Sequence, residues 1–226
     1  MKQFLILSLK EKKMVWCCGN YRSGSTLIYR IITNLIKETG SESFYKTTKV
    51  HQDWMEKFNE EDLSVYSYRD VRDVMASFFY RDKVDFNTFR DHTGAGRNVI
   101  QFMKWMIDYD DFIKKYEQER PGNIIIFKYE DDIIGKNFQV VESIRNFLLI
   151  LDDRCSQPIA EKLSFKNSKK ISDTLLQHDQ QTQLHPNHLK DGKPDKYKEA
   201  FTEEQLKQIN QDEKICQWLT KNGYEV

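Results

Sequence analysis

Apolar and polar residues along this chain switch repeatedly between two spacings. Met14 to Cys18 is a short apolar run suited to a buried strand. Leu27, Ile28, Ile31, Ile32, Leu35 and Ile36 then recur at helical spacing, and the pattern stops near Gly40. Phe44 to His51 predicts a second strand with a polar end, and Leu63 to Tyr68 a third. Directly after it, Val71, Val74, Met75 and Phe78 form a helical stripe. A longer helix is predicted from about Val99 to Tyr116, stopping before Pro121 and Gly122. Asn123 to Tyr129, with its run of isoleucines, reads as a parallel strand buried on both faces. Phe138 to Leu151 predicts another helix, and Thr202-Glu203-Glu204-Gln205 forms a capping box that opens a final helix ending by Gly223. Strands alternating with helices predict an α/β fold whose parallel sheet is covered on both faces.

Composition narrows the function classes. Lys+Arg and Asp+Glu are equal at 35 each, so no global field draws the protein to nucleic acid or to an anionic membrane. Any anion site must be built locally. The 4 cysteines, two of them adjacent in the first strand, do not form a disulfide framework and suggest reduced thiols in the cytoplasm. The apolar stretch Phe4 to Leu9 is too short to span a bilayer and lacks a small-residue cleavage site. The least regular stretches, Tyr80 to Gly96 and His178 to Pro194, have the length of lids or binding loops.

Candidate chemistry gathers at the predicted strand ends. Gly19 and Gly24 are separated by four residues and followed by Ser25 and Thr26, the frame of a phosphate-cradling loop between strand and helix. Ser25 stands where an ATPase carries lysine, so the loop is poorly equipped for the terminal phosphates of ATP. Ligands in such sheets bind beyond the carboxyl ends of strands. There the first strand delivers Arg22, the second Lys49 and His51, the third Arg69, and the fourth Tyr129. Arg69 and Ser77, eight residues apart, suit a guanidinium and a hydroxyl around one phosphate. The bland alternatives are a surface turn for Arg22 and an ordinary ion pair of Arg69 with Asp70 or Asp73. His178, His185 and His188 lack a tight ligand spacing, and no metal is expected. Phe102, Met103, Trp105, Met106 and Tyr109 read as core, with a surplus able to line an acceptor pocket.

These segments together resemble the sulfotransferases that use 3′-phosphoadenosine-5′-phosphosulfate (PAPS). The resemblance rests on Tyr21 to Thr26, Lys49-Val50-His51, Arg69 to Val74 with Ser77, and Tyr129-Glu130-Asp131. It also rests on Lys190 to Lys193 with Tyr197, Phe201 and Thr202. It runs in family order from about residue 15 onward. It implies a three-layer P-loop NTPase-like fold, with a central parallel sheet flanked by helices, as one sulfotransferase-like domain over residues 1–226. It further implies that Arg22 sits at the bridging oxygen and that Ser23, Gly24, Ser25 and Thr26 cradle the 5′-phosphate. His51 would be the general base with Lys49 its basic neighbour. Arg69 and Ser77 would bind the 3′-phosphate, Lys190 and Gly192 with Lys193 would close over it, and Tyr129 would lie near the nucleotide.

The chain also departs from the family pattern. Leu27 stands where many members have a tryptophan that stacks on adenine, Asp191 replaces a frequently basic residue, and Val71 replaces a common proline. The short stretch between Arg22 and His51 leaves no room for acceptor-binding insertions. The expectation is therefore sulfuryl transfer from PAPS to a hydroxyl or amine of a small molecule, without metal, nucleic acid or membrane. A P-loop small-molecule kinase and a non-catalytic nucleotide-binding module are the alternatives. The acceptor and the oligomeric state are not legible in the sequence.

Overall fold

The computed structural model describes residues 12–50, 58–82, 85–90, 96–186, 189 and 192–226. Its centre is a four-stranded parallel sheet built from β1 (Lys13–Gly19), β2 (Tyr45–Lys49), β3 (Leu63–Tyr68) and β6 (Ile124–Lys128). The strand order is β2-β1-β3-β6. A further antiparallel pair, β4 (Phe89–Arg90) with β5 (Gly96–Arg97), spans the irregular stretch after the third strand.

The period of two along β1 shows how both faces become covered. Val15 and Cys17 point into a core formed with α1 (Ser25–Glu38), α4 (Asn137–Phe147) and α5 (Ser156–Lys162). Trp16 and Cys18 face the other way, with Tyr66 and with Ile113 of α3 (Val99–Glu119). A third cluster joins α2 (Val71–Asp82) and α3 to α7 (Tyr197–Ala200), α8 (Glu203–Gln211) and α9 (Glu213–Lys221). This is the parallel sheet covered on both faces that the alternating pattern predicts, in the three layers that the family resemblance implies.

The elements differ from the sequence expectation at several points. The helix expected to reach Leu151 ends at Phe147, because Leu149 turns left-handed (φ 55°) and Arg145 donates to the carbonyl of Ile150 at 2.7 Å. The final helix is two helices. Asp212 ends α8, and its carboxylate then accepts the backbone N–H of Ile215 at 3.2 Å to open α9. A π-helical turn, Tyr129–Ile133, follows β6, and α5 and α6 (Phe165–Thr174) occupy a stretch that the apolar pattern leaves blank. The capping box at Thr202 forms as expected, with Thr202 Oγ1 accepting from Gln205 N and Gln205 Oε1 accepting from Thr202 N. Among the described residues no helix is long and apolar enough to cross a membrane.

Candidate functional site

Because all four sheet strands are parallel, their carboxyl ends share one edge. Gly19 pairs with Ser67, Cys17 with Lys49, and Tyr68 with Lys128. The glycine loop, Lys49, Arg69 and Tyr129 therefore leave the sheet on the same side.

Close packing fixes the loop itself. A Cβ on Gly19 would meet Ser67 Oγ at 2.6 Å, the Ser67 carbonyl at 2.7 Å and Ser23 Oγ at 2.8 Å. No side chain fits there. Ser23, fully buried, donates to the Asn20 carbonyl at 2.6 Å and shares a 2.9 Å hydrogen bond with Ser67 Oγ. Two residues turn left-handed, Arg22 (φ 62°) and Gly24 (φ 92°). For arginine this conformation stores about 1–3 kcal/mol of strain, a cost that clusters at functional sites. Gly24 is the N-cap of α1 and makes no side-chain cap, so the first N–H groups of that helix face the loop. Their dipole favours an anion there.

Cationic groups stand over this cradle. Lys49 leaves the end of β2 and donates to Thr26 Oγ1 at 2.8 Å, joining the second strand to the loop. Burial, aided by the neighbouring charge of Arg22, pulls the Lys49 ammonium down to about 8. Two cations crowded into a half-buried corner are what an incoming anion would relieve.

Arg69 is the hub of the opposite side. It is only 7% exposed, and its Nη2 donates to Asp73 Oδ2 at 2.8 Å and to the Lys193 carbonyl at 2.8 Å. Its Nε faces Glu130 Oε1 at 3.6 Å, and its guanidinium lies 4.6 Å from the centre of the Tyr129 ring. The pairing with Asp73 is thus real, but it is buried rather than at the surface. Burial pushes the Asp73 and Glu130 carboxyls above their usual range; Arg69 does most to pull Asp73 back, whereas hydrogen bonds, among them those from Tyr224 and the Asp70 N–H, do more than Arg69 for Glu130. Tyr129 links the two sides. Its ring carbon Cδ2 lies 3.1 Å from where a Gly24 Cβ would sit, and its hydroxyl donates to the Gly192 carbonyl at 3.3 Å. Gly192 is itself left-handed (φ 67°).

The sequence-predicted residues fall into three groups. Arg22, Ser23, Gly24, Ser25, Thr26 and Lys49 lie together at the loop. Arg69, Tyr129, Gly192 and the backbone of Lys193 lie together beside it. Ser77 is half-buried in the second turn of α2. His51 and Lys190 lie outside the described residues. A family model of the sulfotransferase domain matches residues 56–223. The chain belongs to the sulfotransferase family.

The glycine loop and Lys49 of this sulfotransferase precede the matched region, so their geometry adds to the family match. The fold is similar to mouse sulfotransferase SULT7A1 solved with PAP, at TM-score 0.62 and 14% identity, over 93% of this chain and 86% of that one. It is also similar to retinol dehydratase solved with retinol and PAP, at TM-score 0.60 and 15% identity, over 95% and 82% of the two chains. At such identities the likeness concerns the fold. A comparison with curated proteins finds no match.

One residue of the site is missing from the sequence reading. Phe165, the first residue of α6, is 40% exposed, and its ring edge lies 3.1 Å from where a Gly192 Cβ would sit. It presents an aromatic face beside the Tyr129–Gly192 contact. Its local signal was Ser164, an N-cap whose hydroxyl accepts from Asn167 N at 3.4 Å. Leu27, the departure that raised the question of base stacking, packs instead against the core beneath α1.

Proposed function

We propose that residues 1–226 act as one sulfotransferase-like domain that moves a sulfuryl group from PAPS to a hydroxyl or amine of a small-molecule acceptor. The observation that carries this reading is the two-sided anion site. A lysine-free glycine loop with Arg22 and Lys49 lies on one side, and Arg69 with Tyr129 and the Gly192–Lys193 backbone on the other. Two anion-binding centres at one sheet edge suit an adenosine with phosphates at both 5′ and 3′ positions.

The cradle fits such a donor. Gly19 and Gly24 leave no space for side chains, and the backbone N–H groups of Gly24, Ser25 and Thr26 face the 5′-phosphate, while that of Ser23 donates to the Asn20 carbonyl at 3.3 Å. Arg69 and Ser77 take the 3′-phosphate, with Lys190, Gly192 and Lys193 closing over it. Tyr129 and Phe165 offer the aromatic surfaces for adenine that Leu27 does not. PAP in the neighbouring structures supports the same donor class. A P-loop kinase would need the lysine that Ser25 replaces.

In the transfer, His51 takes the proton of the acceptor hydroxyl as its oxygen bonds to sulfur. The bond from sulfur to the bridging oxygen breaks, and its electron pair stays on the 5′-phosphate. Arg22 and Lys49 stabilise the charge that develops at that oxygen. The proton, the sulfuryl group and the electron pair are thereby all accounted for without a metal. The retinol in one neighbour's complex supports an acceptor of small-molecule size. All four cysteines are free thiols, which suits a reducing cytoplasm.

The test is transfer of labelled sulfate from PAPS to a panel of small phenols, alcohols and amines. His51→Ala is expected to slow transfer by at least ~10²-fold, the usual worth of a general base, while PAP affinity stays nearly unchanged. Loss of PAP binding in that variant would make His51 structural, and no transfer by the wild-type protein would leave a binding module.

A further inference from the structure

The orientation of Arg69 is set in part from the far end of the chain. Beyond α9, Gly223 turns left-handed (φ 74°), and the backbone N–H of Tyr224 donates to the Leu219 carbonyl at 2.9 Å. The Tyr224 ring stacks on Trp218, centroids 5.6 Å apart and planes 20° from parallel. Lys128 Nζ sits 4.4 Å from the centre of the same ring and donates to the Asn222 carbonyl at 2.9 Å. Held this way, the Tyr224 hydroxyl donates to Glu130 Oε2 at 2.9 Å. The other oxygen, Oε1, accepts the backbone N–H of Asp70 at 3.2 Å and faces Arg69 Nε at 3.6 Å. A single carboxylate thus joins the C-terminal tail to the guanidinium.

We infer that Glu130 and Tyr224 are positioning residues for Arg69, so that the C-terminal tail sets how strongly the site prefers an adenosine nucleotide bearing a 3′-phosphate. This rests on the reading of Arg69 as the ligand of that phosphate. Asp73 and the Lys193 carbonyl occupy Nη2, and Glu130 faces Nε. Among the described residues Nε finds no hydrogen-bond partner, so Glu130 holds it by charge alone across 3.6 Å, and none hydrogen-bonds Nη1, which leaves that nitrogen for the phosphate. An arginine already held in place loses little rotamer freedom when it grips a phosphate. Glu130 also offsets part of the Arg69 charge, and its removal would by charge alone favour an anion. Removal of Glu130 therefore lowers the preference only where alignment outweighs that charge, which is the sign inferred here.

Isothermal titration of the full chain with 3′,5′-adenosine bisphosphate and with 5′-AMP reads the preference directly. Wild type is expected to favour the bisphosphate by at least about tenfold, a charge-assisted contact's worth. Tyr224→Phe keeps the ring stack and should cut that ratio about threefold, and Glu130→Gln roughly tenfold, with 5′-AMP affinity unchanged in both. Because Tyr224 acts through Glu130, the double variant should fall no further than Glu130→Gln alone. Ratios that hold or rise, effects that add, or equal losses for both nucleotides would overturn the inference. A wild-type protein that does not distinguish the two nucleotides would instead sink the Arg69 reading on which it stands.

Discussion

The two sides of the site are built by opposite means. At the glycine loop, consecutive residues are shaped by what a backbone can and cannot do: Gly19 packs against Ser67, and Arg22 and Gly24 turn left-handed. At Arg69 the geometry comes from side chains and carbonyls of four separated segments: Asp73, Tyr129 with Glu130, Lys193 and, through Glu130, Tyr224. The first side is preformed and tied to the fold. The second is a set of charges that hold one another, and altering one shifts the rest.

The sharpest way to break this contrast is through Gly19. Gly19→Ala should damage the whole protein, because the new methyl meets a backbone carbonyl at 2.7 Å rather than a flexible side-chain tip. Overpacking of that kind costs about 1–3 kcal/mol, so a drop of roughly 2–12 °C in Tm is expected for a chain of this size. A thermal melt checks it. An unchanged Tm would mean that the loop yields as easily as the Arg69 side. By contrast, Glu130→Gln should move ligand preference more than Tm.

A smaller effect sharpens the comparison, because the loop side also carries one titrating group. Lys49 is pulled down to about 8 by burial, with Arg22 beside it. In the free protein its charge is lost as pH rises through about 8, and PAP affinity should fall with it. Lys49→Arg should hold its affinity across that range, since guanidinium stays charged. Binding an anion restores the proton, so titrations in buffers of different ionisation enthalpy should show proton uptake near pH 8–9. The unfolded lysine titrates near ~10.4, so between the two values the unfolded chain holds more protons and stability rises with pH. Wild-type affinity that stays flat up to pH 10 would contradict this account of Lys49.

The same contrast explains what was legible in the sequence. The first strand, the glycine loop and α1 follow one another without a break, so apolar spacing and two glycines announce them. Thr202 and Gln205 likewise announce α8 from within four residues. Leu149 ends α4 in a left-handed turn without the glycine that usually marks one, so the helix reads as longer than it is. Phe165 gains its place only through Gly192 and Tyr129, and Tyr224 meets Glu130 across 94 positions. Local periodicity carries no information about such meetings. The phosphate role proposed for Arg69 rests on its spacing from Ser77 as well as on family likeness, and Asp73 is a partner the sequence offers; its contacts with Tyr129, Glu130 and the Lys193 carbonyl are visible only in three dimensions.

The central claim is that this sheet edge holds an adenosine phosphorylated at both 5′ and 3′ positions. Thermal shift with 3′,5′-adenosine bisphosphate, set beside ATP with magnesium, tests it most directly. At a hundredfold excess over Kd the bisphosphate should stabilise the protein by about 2.7 kcal/mol, a rise of roughly 5–11 °C. ATP with magnesium should give little or none. A shift from ATP with magnesium that equals or exceeds that from the bisphosphate would contradict the account.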